Sequence, residues 1–262
     1  MCLLVLAWQV HPRYRLVVAA NRDEYHERPA APLALWPPPD ELLGGRDLRA
    51  EGTWLALDRA RRFGVVTNFR ELQSARAGAP SRGALIPQYL RGSEAPRSFF
   101  AALAGQADLY SGFNLLLSDA DSLWYGSNRD TPFARPLAPG VYGLSNERLD
   151  TPWPKLLRVK RGFEKWLARA AGEPDGLFAL LADRTQSAPD AAPPAGESGL
   201  PAEWERVLSA PFVLNPLYGT RCSSVVLLEP GGELYFAERR FDAAGAPRGE
   251  TEFRLNAPQW PR

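Results

Sequence analysis

Short apolar runs separated by turn residues dominate both ends of this sequence, and they limit the fold more than any other feature. Near the start, Leu3–Val10 and Tyr14–Ala20 flank a His-Pro-Arg turn, so the two runs predict a β-hairpin. Near the end, Cys222–Leu228 and Glu233–Arg240 flank a Pro-Gly-Gly turn in the same way. Hairpins at both ends with helices between them are typical of sheets faced by helices, not of alternating βαβ units. We therefore predict an α+β fold with antiparallel sheets.

Further strands and helices are predicted between the two hairpins. The predicted strands are Gly52–Leu57, Phe63–Asn68, Phe113–Ser118, Leu123–Ser127 and Gly140–Ser145. The predicted helices are Ser81–Arg91, Ala95–Gln106, Pro154–Ala171 and Leu177–Asp183. Gly44-Gly45-Arg46-Asp47 predicts a tight turn that needs positive φ. The Ala-, Pro- and Gly-rich stretch 186–201 predicts a mobile surface loop, and residues 1–262 as a whole are predicted to form a single domain.

Composition excludes several classes of function. The net charge is +1, and the basic residues form no stripe, so we expect no nucleic-acid partner. No apolar stretch approaches 18 residues, so no transmembrane segment is predicted. Cys2 and Cys222 are too few for a disulfide framework, which favours a reducing, cytoplasmic location. Ligand-spaced Cys/His clusters are absent, so we expect no metal or other cofactor; His11 and His26 are predicted to be exposed or to cap turns.

Cys2 is the first candidate functional residue. A thiol is the most reactive ordinary nucleophile in proteins, but it needs a base because it is mostly protonated at its free pKa. Removal of Met1 would make the α-amino group of Cys2 that base, since an α-amine has a reference pKa of about 7.7–8.0. The alternative is that Cys2 simply begins a buried strand, as free cysteines often do.

Asn21-Arg22-Asp23-Glu24 forms a dense polar cluster where the second apolar run ends. In an antiparallel hairpin the end of the second strand lies beside the start of the first, so the cluster is predicted to lie near Cys2. There Arg22 would lower the pKa of the thiol through its charge, and Asp23 would hold the ammonium group or the thiol in place. The alternative is a solvated strand end with an Asn/Asp turn.

A series of short motifs resembles the NRDE family, which includes the transport and Golgi organisation proteins. The motifs run in order from residue 1 to about residue 228, and it is their ordered series that makes the resemblance specific. They are Met1-Cys2, Ala20-Asn21-Arg22-Asp23-Glu24-Tyr25, Gly44-Gly45-Arg46-Asp47, Gly52-Thr53-Trp54-Leu55, Val66-Thr67-Asn68-Phe69-Arg70-Glu71, Ser81-Arg82-Gly83, Gly112-Phe113-Asn114-Leu115-Leu116, Gly143-Leu144-Ser145-Asn146, Asp150-Thr151-Pro152-Trp153-Pro154-Lys155 and Tyr218-Gly219-Thr220-Arg221.

This family in turn resembles the N-terminal nucleophile (Ntn) hydrolases of the choloylglycine hydrolase and penicillin V acylase type. The resemblance implies an αββα four-layer sandwich and a catalytic N-terminal cysteine. It implies that Cys2 is the nucleophile, that Asp23 orients it, and that the side chain of Asn68 helps to form the oxyanion hole. It also implies that Asn146 lies on the substrate side and Arg221 near the nucleophile. The alternatives are turn roles for the two asparagines and a surface ion pair for the arginine.

One position departs from the hydrolase pattern. The hydrolases have the order Arg-Asn-x-Asp, whereas this chain has Asn21-Arg22-Asp23, so their arginine falls on Ala20. Alternation along a strand predicts that Arg22 points to the opposite face from that arginine. Asn21, Arg22 and Glu24 are predicted to be neighbours of the nucleophile.

Two kinds of function follow from these observations. The first is hydrolysis of a non-peptide C–N bond of a small acyl substrate, with Cys2 as nucleophile. The second is a non-catalytic protein of the same fold that binds or transports a hydrophobic ligand such as a lipid, an acyl-CoA or haem. A small-molecule substrate or hydrophobic ligand is thus the expected partner in both cases. Fold alone cannot decide between them, because a site can outlast its chemistry.

Overall fold

The computed structural model describes residues 3–70, 78–169, 172–187 and 200–261. Within these ranges the chain forms strands and α-helices that we number in chain order. The strands are β1 (Leu3–Trp8), β2 (Leu16–Tyr25), β3 (Ala30–Leu35), β4 (Leu43–Asp47), β5 (Leu55–Leu57), β6 (Phe63–Asn68), β7 (Phe113–Ser118), β8 (Leu123–Ser127), β9 (Ala134–Leu137), β10 (Gly140–Leu144), β11 (Tyr218–Leu228), β12 (Leu234–Phe241) and β13 (Pro247–Leu255). The helices are α1 (Leu85–Arg91), α2 (Pro96–Ala104), α3 (Pro154–Leu167), α4 (Pro174–Leu181) and α5 (Ala202–Leu208).

The strands form two antiparallel sheets, which confirms the predicted α+β class. One sheet has six strands in the order β10-β1-β2-β11-β12-β13, and the other has seven in the order β3-β4-β5-β6-β7-β8-β9. Contacts divide the chain into two compact units, each built on one sheet. The first unit takes in the described residues of 1–27, 139–145 and 149–259, and the second those of 28–138, 146–148 and 260–262. The single-domain assignment of residues 1–262 stays a prediction.

In the first unit, α3 and α4 pack against the six-stranded sheet. β1 and the first half of β2, from Leu16 to Ala20, are apolar on both faces because both faces are buried. Leu3 and Val5 of β1 pack with Phe163 of α3 and Leu177 of α4 in one apolar cluster. α3 and α4 each begin with proline, which costs no hydrogen bond there because the first amides of a helix have no partner within it.

In the second unit, α1 and α2 pack against the seven-stranded sheet. Ile86 and Tyr89 of α1 belong to one apolar cluster with Phe100 of α2 and with Leu115 and Leu117 of β7. The ring of Phe100 lies against Gly126 of β8 so closely that a Cβ atom at that position would be 2.3 Å from it. The absence of a side chain at residue 126 therefore lets α2 lie directly on the strand.

Several sequence predictions needed correction. Gly44-Gly45-Arg46-Asp47 is part of strand β4 and is not a tight turn, and neither glycine has positive φ. Gly44 is instead so close to the adjoining strand β5 that there is no room for a Cβ atom. β2 does not end at Ala20 but continues to Tyr25, because β11 is long enough to pair with it throughout.

Other elements were not predicted at all. They are strands β3, β4, β9 and β13 and helix α5. Most of the predicted mobile loop at 186–201 lies outside the described residues, so that prediction stays as it is. Of the helices that the structure describes, none is long and apolar enough to cross a membrane.

Candidate functional site

The candidate site begins where β1 begins. Leu3, the first described residue, pairs with Asn21 of β2, and the register continues from Leu4 with Ala20 to Trp8 with Leu16. The predicted nucleophile, Cys2, is bonded to Leu3 but lies outside the described residues. The hairpin and its register therefore bring the start of β1 beside the polar cluster, as the sequence predicted.

Asn21 uses its side chain to hold the fold together. Its Nδ2 donates to the main-chain oxygens of Leu181 and Pro211, each at 2.9 Å, and its Oδ1 accepts from the hydroxyl of Ser223 at 2.6 Å. Asn21 is fully buried, so these bonds replace the water that the amide would otherwise bind. Its role is to join β2 to the end of α4 and to β11.

Asp23 is a buried carboxylate with one oxygen fixed by a neighbouring strand. Only 2% of the residue is exposed, and its Oδ1 accepts a 2.6 Å hydrogen bond from the hydroxyl of Thr220. Thr220 in turn accepts the main-chain N–H of Val213 at 2.9 Å, so its hydroxyl proton is directed at the carboxylate. The hydroxyl of Tyr218 donates to the main-chain oxygen of Asp23 at 3.2 Å. The polar cluster is thus not a solvated turn.

Arg22 lies on the face of β2 that Ala20 also occupies. Residues two apart on a strand share a face, and both pair with β11, Ala20 with Ser224 and Arg22 with Cys222. The prediction that Arg22 would point away from the face of the hydrolase arginine is therefore wrong. Arg22 is 3% exposed, so its guanidinium is a buried positive charge on that face.

Cys222 was not predicted to belong to the site. It pairs with Arg22 on one side and with Arg240 of β12 on the other. Burial raises the pKa of its thiol well above the ordinary value, and the carboxylate of Glu238 raises it further, although the charge of Arg22 opposes them. A buried, protonated thiol is a poor nucleophile, so Cys222 does not compete for that role.

Arg221 and Glu24 lie at the outer end of the same strand pair. The Nη1 of Arg221 donates to the main-chain oxygen of Tyr25 at 2.8 Å. Burial lowers the pKa of Arg221, and so does the like charge of Arg22, which places the two arginines within electrostatic range. Glu24 is half-buried and accepts the N–H of Tyr25. The structure thus gathers Asn21, Arg22, Asp23, Glu24 and Arg221 in the first unit.

Asn68 and Asn146 lie together in the second unit. The Nδ2 of Asn146 donates to the main-chain oxygen of Asn68 at 3.1 Å, and the main-chain oxygen of Asn146 accepts the N–H of Arg70 at 2.6 Å. The side-chain amide of Asn68 is half-buried and makes no hydrogen bond with any residue that the structure describes. Their predicted catalytic roles stay predictions.

The histidines take no part in this cluster. His11 is buried, and its Nδ1 accepts the N–H groups of Arg13 and Tyr14, which confirms a capping role and contradicts exposure. His26 is half-buried, with Nε2 at 3.0 Å from the oxygen of Asn215.

Sequence reasoning missed Thr220, Ser223 and Cys222 as partners of the polar cluster. Thr220 belongs to one of the family motifs, but its contact with Asp23 depends on pairing between strands that are far apart in sequence, and the two residues are 197 positions apart. The available signal was that a polar run, Thr220 to Ser224, interrupts an otherwise apolar strand.

Comparison with known proteins agrees with the motif series. The family model described as Transport and Golgi organisation 2 matches residues 1–243. The Transport and Golgi organization protein 2 homolog of Bos taurus is 35% identical, over 98% of this chain and all of that protein. The Homo sapiens homolog is 31% identical, over 91% of this chain and 92% of that protein.

A solved structure gives a more distant likeness. The Caenorhabditis elegans ortholog of N-acylethanolamine-hydrolyzing acid amidase aligns over 88% of this chain and 93% of its own, with 12% identity and a TM-score of 0.44. That score is too low to carry an argument about chemistry. The family match is independent of it and covers most of the sequence. The chain therefore belongs to the Transport and Golgi organisation 2 family.

Proposed function

We propose that this protein is a hydrolase of non-peptide C–N bonds in small acyl substrates, with the thiol of Cys2 as its nucleophile. The observation that carries the proposal is the buried carboxylate of Asp23, fixed by Thr220 at 2.6 Å, on the strand that pairs with Leu3. Burying a carboxylate is costly unless it is hydrogen-bonded or paired with a positive charge. Removal of Met1 would create an α-ammonium group at residue 2, and this positive charge would pair favourably with the buried carboxylate of Asp23.

The reaction proceeds through a thioester and requires that Met1 has been removed. The α-amine of Cys2 takes the thiol proton, and the thiolate attacks the carbonyl carbon of the amide. The C–N bond breaks, the amine leaves with that proton, and the acyl group stays on sulfur. Water then attacks the thioester with the α-amine as base, releasing the carboxylic acid and restoring the thiol.

Arg22 supplies positive charge to the proposed nucleophile. It shares the face of Ala20, where the hydrolase arginine would stand, and it is buried, so its charge is weakly screened by water. A positive charge nearby favours the thiolate and lowers the pKa of the thiol. In this proposal Arg22 replaces the missing arginine from two residues further along the strand.

The remaining roles come from the motif resemblance. Asn68 would donate its side-chain amide to the oxyanion, and its amide is half-buried without a hydrogen-bond partner among the described residues. Asn146 would contact the substrate, and Arg221 would lie near the nucleophile. The rates of hydrolysis by the variants Asn68→Ala and Asn146→Ala test the roles assigned to Asn68 and Asn146.

Intact mass and active-site labelling test the proposal. We expect the purified protein to lack Met1 and to gain one acyl group from an activated acyl ester at neutral pH, with the adduct mapping to Cys2. The Cys222→Ala variant should acylate normally, because burial keeps that thiol protonated. Asp23→Asn and Arg22→Met should each slow acylation by about tenfold or more, as expected for removal of a group that tunes the thiol. Retained Met1, or an unreactive Cys2, would rule out this mechanism.

A second candidate function is supported by an exposed apolar residue that is next in sequence to a partner of Asp23. Leu217 is 67% exposed and precedes Tyr218, whose hydroxyl bonds to the main chain of Asp23. Such a surface also suits a protein that carries a lipid, an acyl-CoA or haem without reacting with it. The discriminating result is a lipid or pigment that stays bound during purification and survives the substitution Cys2→Ala.

A further inference from the structure

We propose that Asn114 is a positioning residue of the candidate site and that it acts by holding Asn146 in place. Asn114 belongs to the family motif at 112–116, and none of the roles assigned above involves it. It reaches Asn146 through residues 146–148, which we call the 146–148 segment. This role rests on the proposed function, in which Asn146 contacts the substrate.

The side-chain amide of Asn114 is buried, and its hydrogen bonds fix the way it faces. Asn114 is fully buried in β7, and the hydroxyl of Tyr125 in β8 donates to its Oδ1 at 2.8 Å. Its Nδ2 donates to the Oγ1 of Thr67, its cross-strand partner in β6, at 3.2 Å, and to the main-chain oxygen of Glu147 at 2.9 Å. A carbonyl oxygen can only accept, so the bond to Glu147 determines the orientation of the amide.

The bond to Glu147 is the one of these three that leaves the sheet. Thr67 and Tyr125 lie in the strands on either side of β7, whereas Glu147 belongs to the 146–148 segment. This segment is part of the second unit, although the chain on both sides of it is assigned to the first. The bond from Asn114 therefore connects the 146–148 segment to the seven-stranded sheet of its own unit.

Asn146 directly precedes the anchored residue Glu147 and is held by two further bonds within the second unit. Its main-chain oxygen accepts the N–H of Arg70 at 2.6 Å, and its Nδ2 donates to the main-chain oxygen of Asn68 at 3.1 Å. Asn68 in turn directly follows Thr67 in β6. Each of the two predicted site asparagines is therefore next in sequence to a hydrogen-bond partner of Asn114.

Stability alone does not explain an amide at residue 114. The next three positions of β7 are buried leucines, and apolar side chains at 67, 114 and 125 together would fill the same space without any bonds to satisfy. The net contribution of a hydrogen bond to stability is small, because folding exchanges bonds to water for bonds within the protein. What the amide adds is direction, since it fixes the carbonyl group of Glu147 at one place on the sheet.

A double-mutant cycle between Asn114 and Asn146 tests this role. It is read as the second-order rate constant for acylation of Cys2 by p-nitrophenyl butanoate. We expect Asn114→Leu and Asn146→Ala each to lower this rate constant about tenfold, because a displacement of about 1 Å is enough for such a loss. In the Asn146→Ala background, Asn114→Leu should have less than about a twofold effect, because it acts through Asn146. Losses that multiply in the double variant would overturn the inference.

Two further variants separate positioning from loss of stability. Leu117→Ala leaves a cavity in the same strand and should lower the urea midpoint, as Asn114→Leu does, but should keep the acylation rate constant within about twofold of wild type. Tyr125→Phe removes one donor to Asn114 with little change of shape, and it should give a smaller loss that also disappears in the Asn146→Ala background. A loss of rate in Leu117→Ala as large as that in Asn114→Leu would contradict positioning.

Amide hydrogen exchange measures the position of the 146–148 segment without any reaction. The N–H of Arg70 bonds to Asn146, whereas Val65 lies within the β-ladder of β6. In Asn114→Leu, exchange at Arg70 should become several-fold faster relative to exchange at Val65, because the segment opens more often than the sheet. An unchanged ratio would show that Asn114 does not hold the segment.

Failure of the inference and failure of the proposed function give different results. If Cys2 is acylated but Asn146→Ala keeps the wild-type rate, Asn114 has no catalytic part to position, although the hydrolase proposal survives. If wild-type Cys2 does not react at all, the hydrolase proposal fails, and the exchange ratio decides whether Asn114 holds Asn146. A raised ratio supports that role, and an unchanged one overturns it.

Discussion

Neighbouring residues of the Asn21–Glu24 motif have separate physical roles. Asn21 makes three hydrogen bonds that connect distant parts of the first unit, whereas the carboxylate of Asp23 accepts a hydrogen bond from the hydroxyl of Thr220. Arg22, between them, faces the other way, toward Cys222. The motif could be found from the sequence, but these separate roles could not, because each depends on a strand about 200 positions away.

The first prediction at the residue scale concerns Asn21. Asn21→Asp keeps the shape of the side chain but replaces two N–H donors with an oxygen that faces the carbonyl oxygens of Leu181 and Pro211. We expect the free energy of unfolding to fall by about 3 kcal/mol or more at neutral pH, because a buried charge loses its partners. Asn68→Asp, at a half-buried amide without such bonds, is the matched control and should cost less than about 1 kcal/mol. Urea unfolding followed by circular dichroism measures both, and equal losses would contradict the structural role of Asn21.

The second prediction at this scale concerns the pH dependence of stability. Burial lowers the pKa of His11 below its ordinary value of 6.5, and the charge of Arg13 acts in the same direction, although the main-chain oxygen of Arg169 opposes them. The unfolded state therefore binds more protons than the folded state as the pH falls through 6.5, and stability decreases. His11→Asn keeps a side-chain acceptor for the N–H groups of Arg13 and Tyr14 but cannot titrate. Between pH 7 and pH 5 the wild type should lose more stability than this variant, as measured by urea midpoints; parallel curves would exclude His11 as the cause.

At the scale of elements, the strands and helices differ in how far sequence predicts them. β7 and β8 agree residue for residue with the prediction, because their apolar runs end at turn residues. β4 was missed because Gly44 and Gly45 have low strand propensity, and at Gly44 the close approach of β5 leaves no room for a side chain. β13 was missed since its edge position leaves most of its side chains exposed and polar.

A glycine substitution tests the reason given for β4. In Gly44→Ala the new Cβ atom would lie 2.6 Å from the main-chain oxygen of Leu55 and 2.8 Å from the Cβ of Ala56, so the strands must move apart. We expect a loss of about 1–3 kcal/mol in the free energy of unfolding. Gly105→Ala, at the end of α2 with φ of −72° and no atom within 4 Å of the new Cβ, should stay within about 0.5 kcal/mol of wild type. A Gly44 variant as stable as the Gly105 variant would show that β4 tolerates a side chain.

At the scale of the whole molecule, the sequence predicted the class of fold but not the arrangement of the strands. Hairpins such as β1–β2 and β11–β12 could be predicted because their strands are consecutive. The pairing of β2 with β11 and of β1 with β10 joins the ends and the middle of the chain, and no local pattern specifies it. The motif resemblance identified the family, whereas the hydrogen bonds that fix the site come from these distant pairings.

A prediction at this scale uses Cys222 as a probe of global unfolding. Its side chain is buried between β2 and β12, so a thiol reagent should reach it only when the six-stranded sheet opens. In the Cys2→Ala variant, labelling by iodoacetamide should be negligible in buffer and should rise through the same urea range as the loss of circular dichroism. Rapid labelling in buffer would mean that the strands around Cys222 open locally.

The alternation of β2 sets a limit on insertions and deletions. One residue added between Leu16 and Ala20 would exchange the two faces, placing Arg22 on the face that Asn21 and Asp23 now occupy and turning Asp23 away from Thr220. The strand itself would still form, since its apolar residues are buried on both sides. The number of residues between the first turn and the Asn21–Glu24 motif can therefore change only by even numbers if each side chain is to stay on its face of β2. Even then, each residue of the motif would pair with a different residue of the neighbouring strands. Changes of length in this part of the protein should be confined to the turn between β1 and β2.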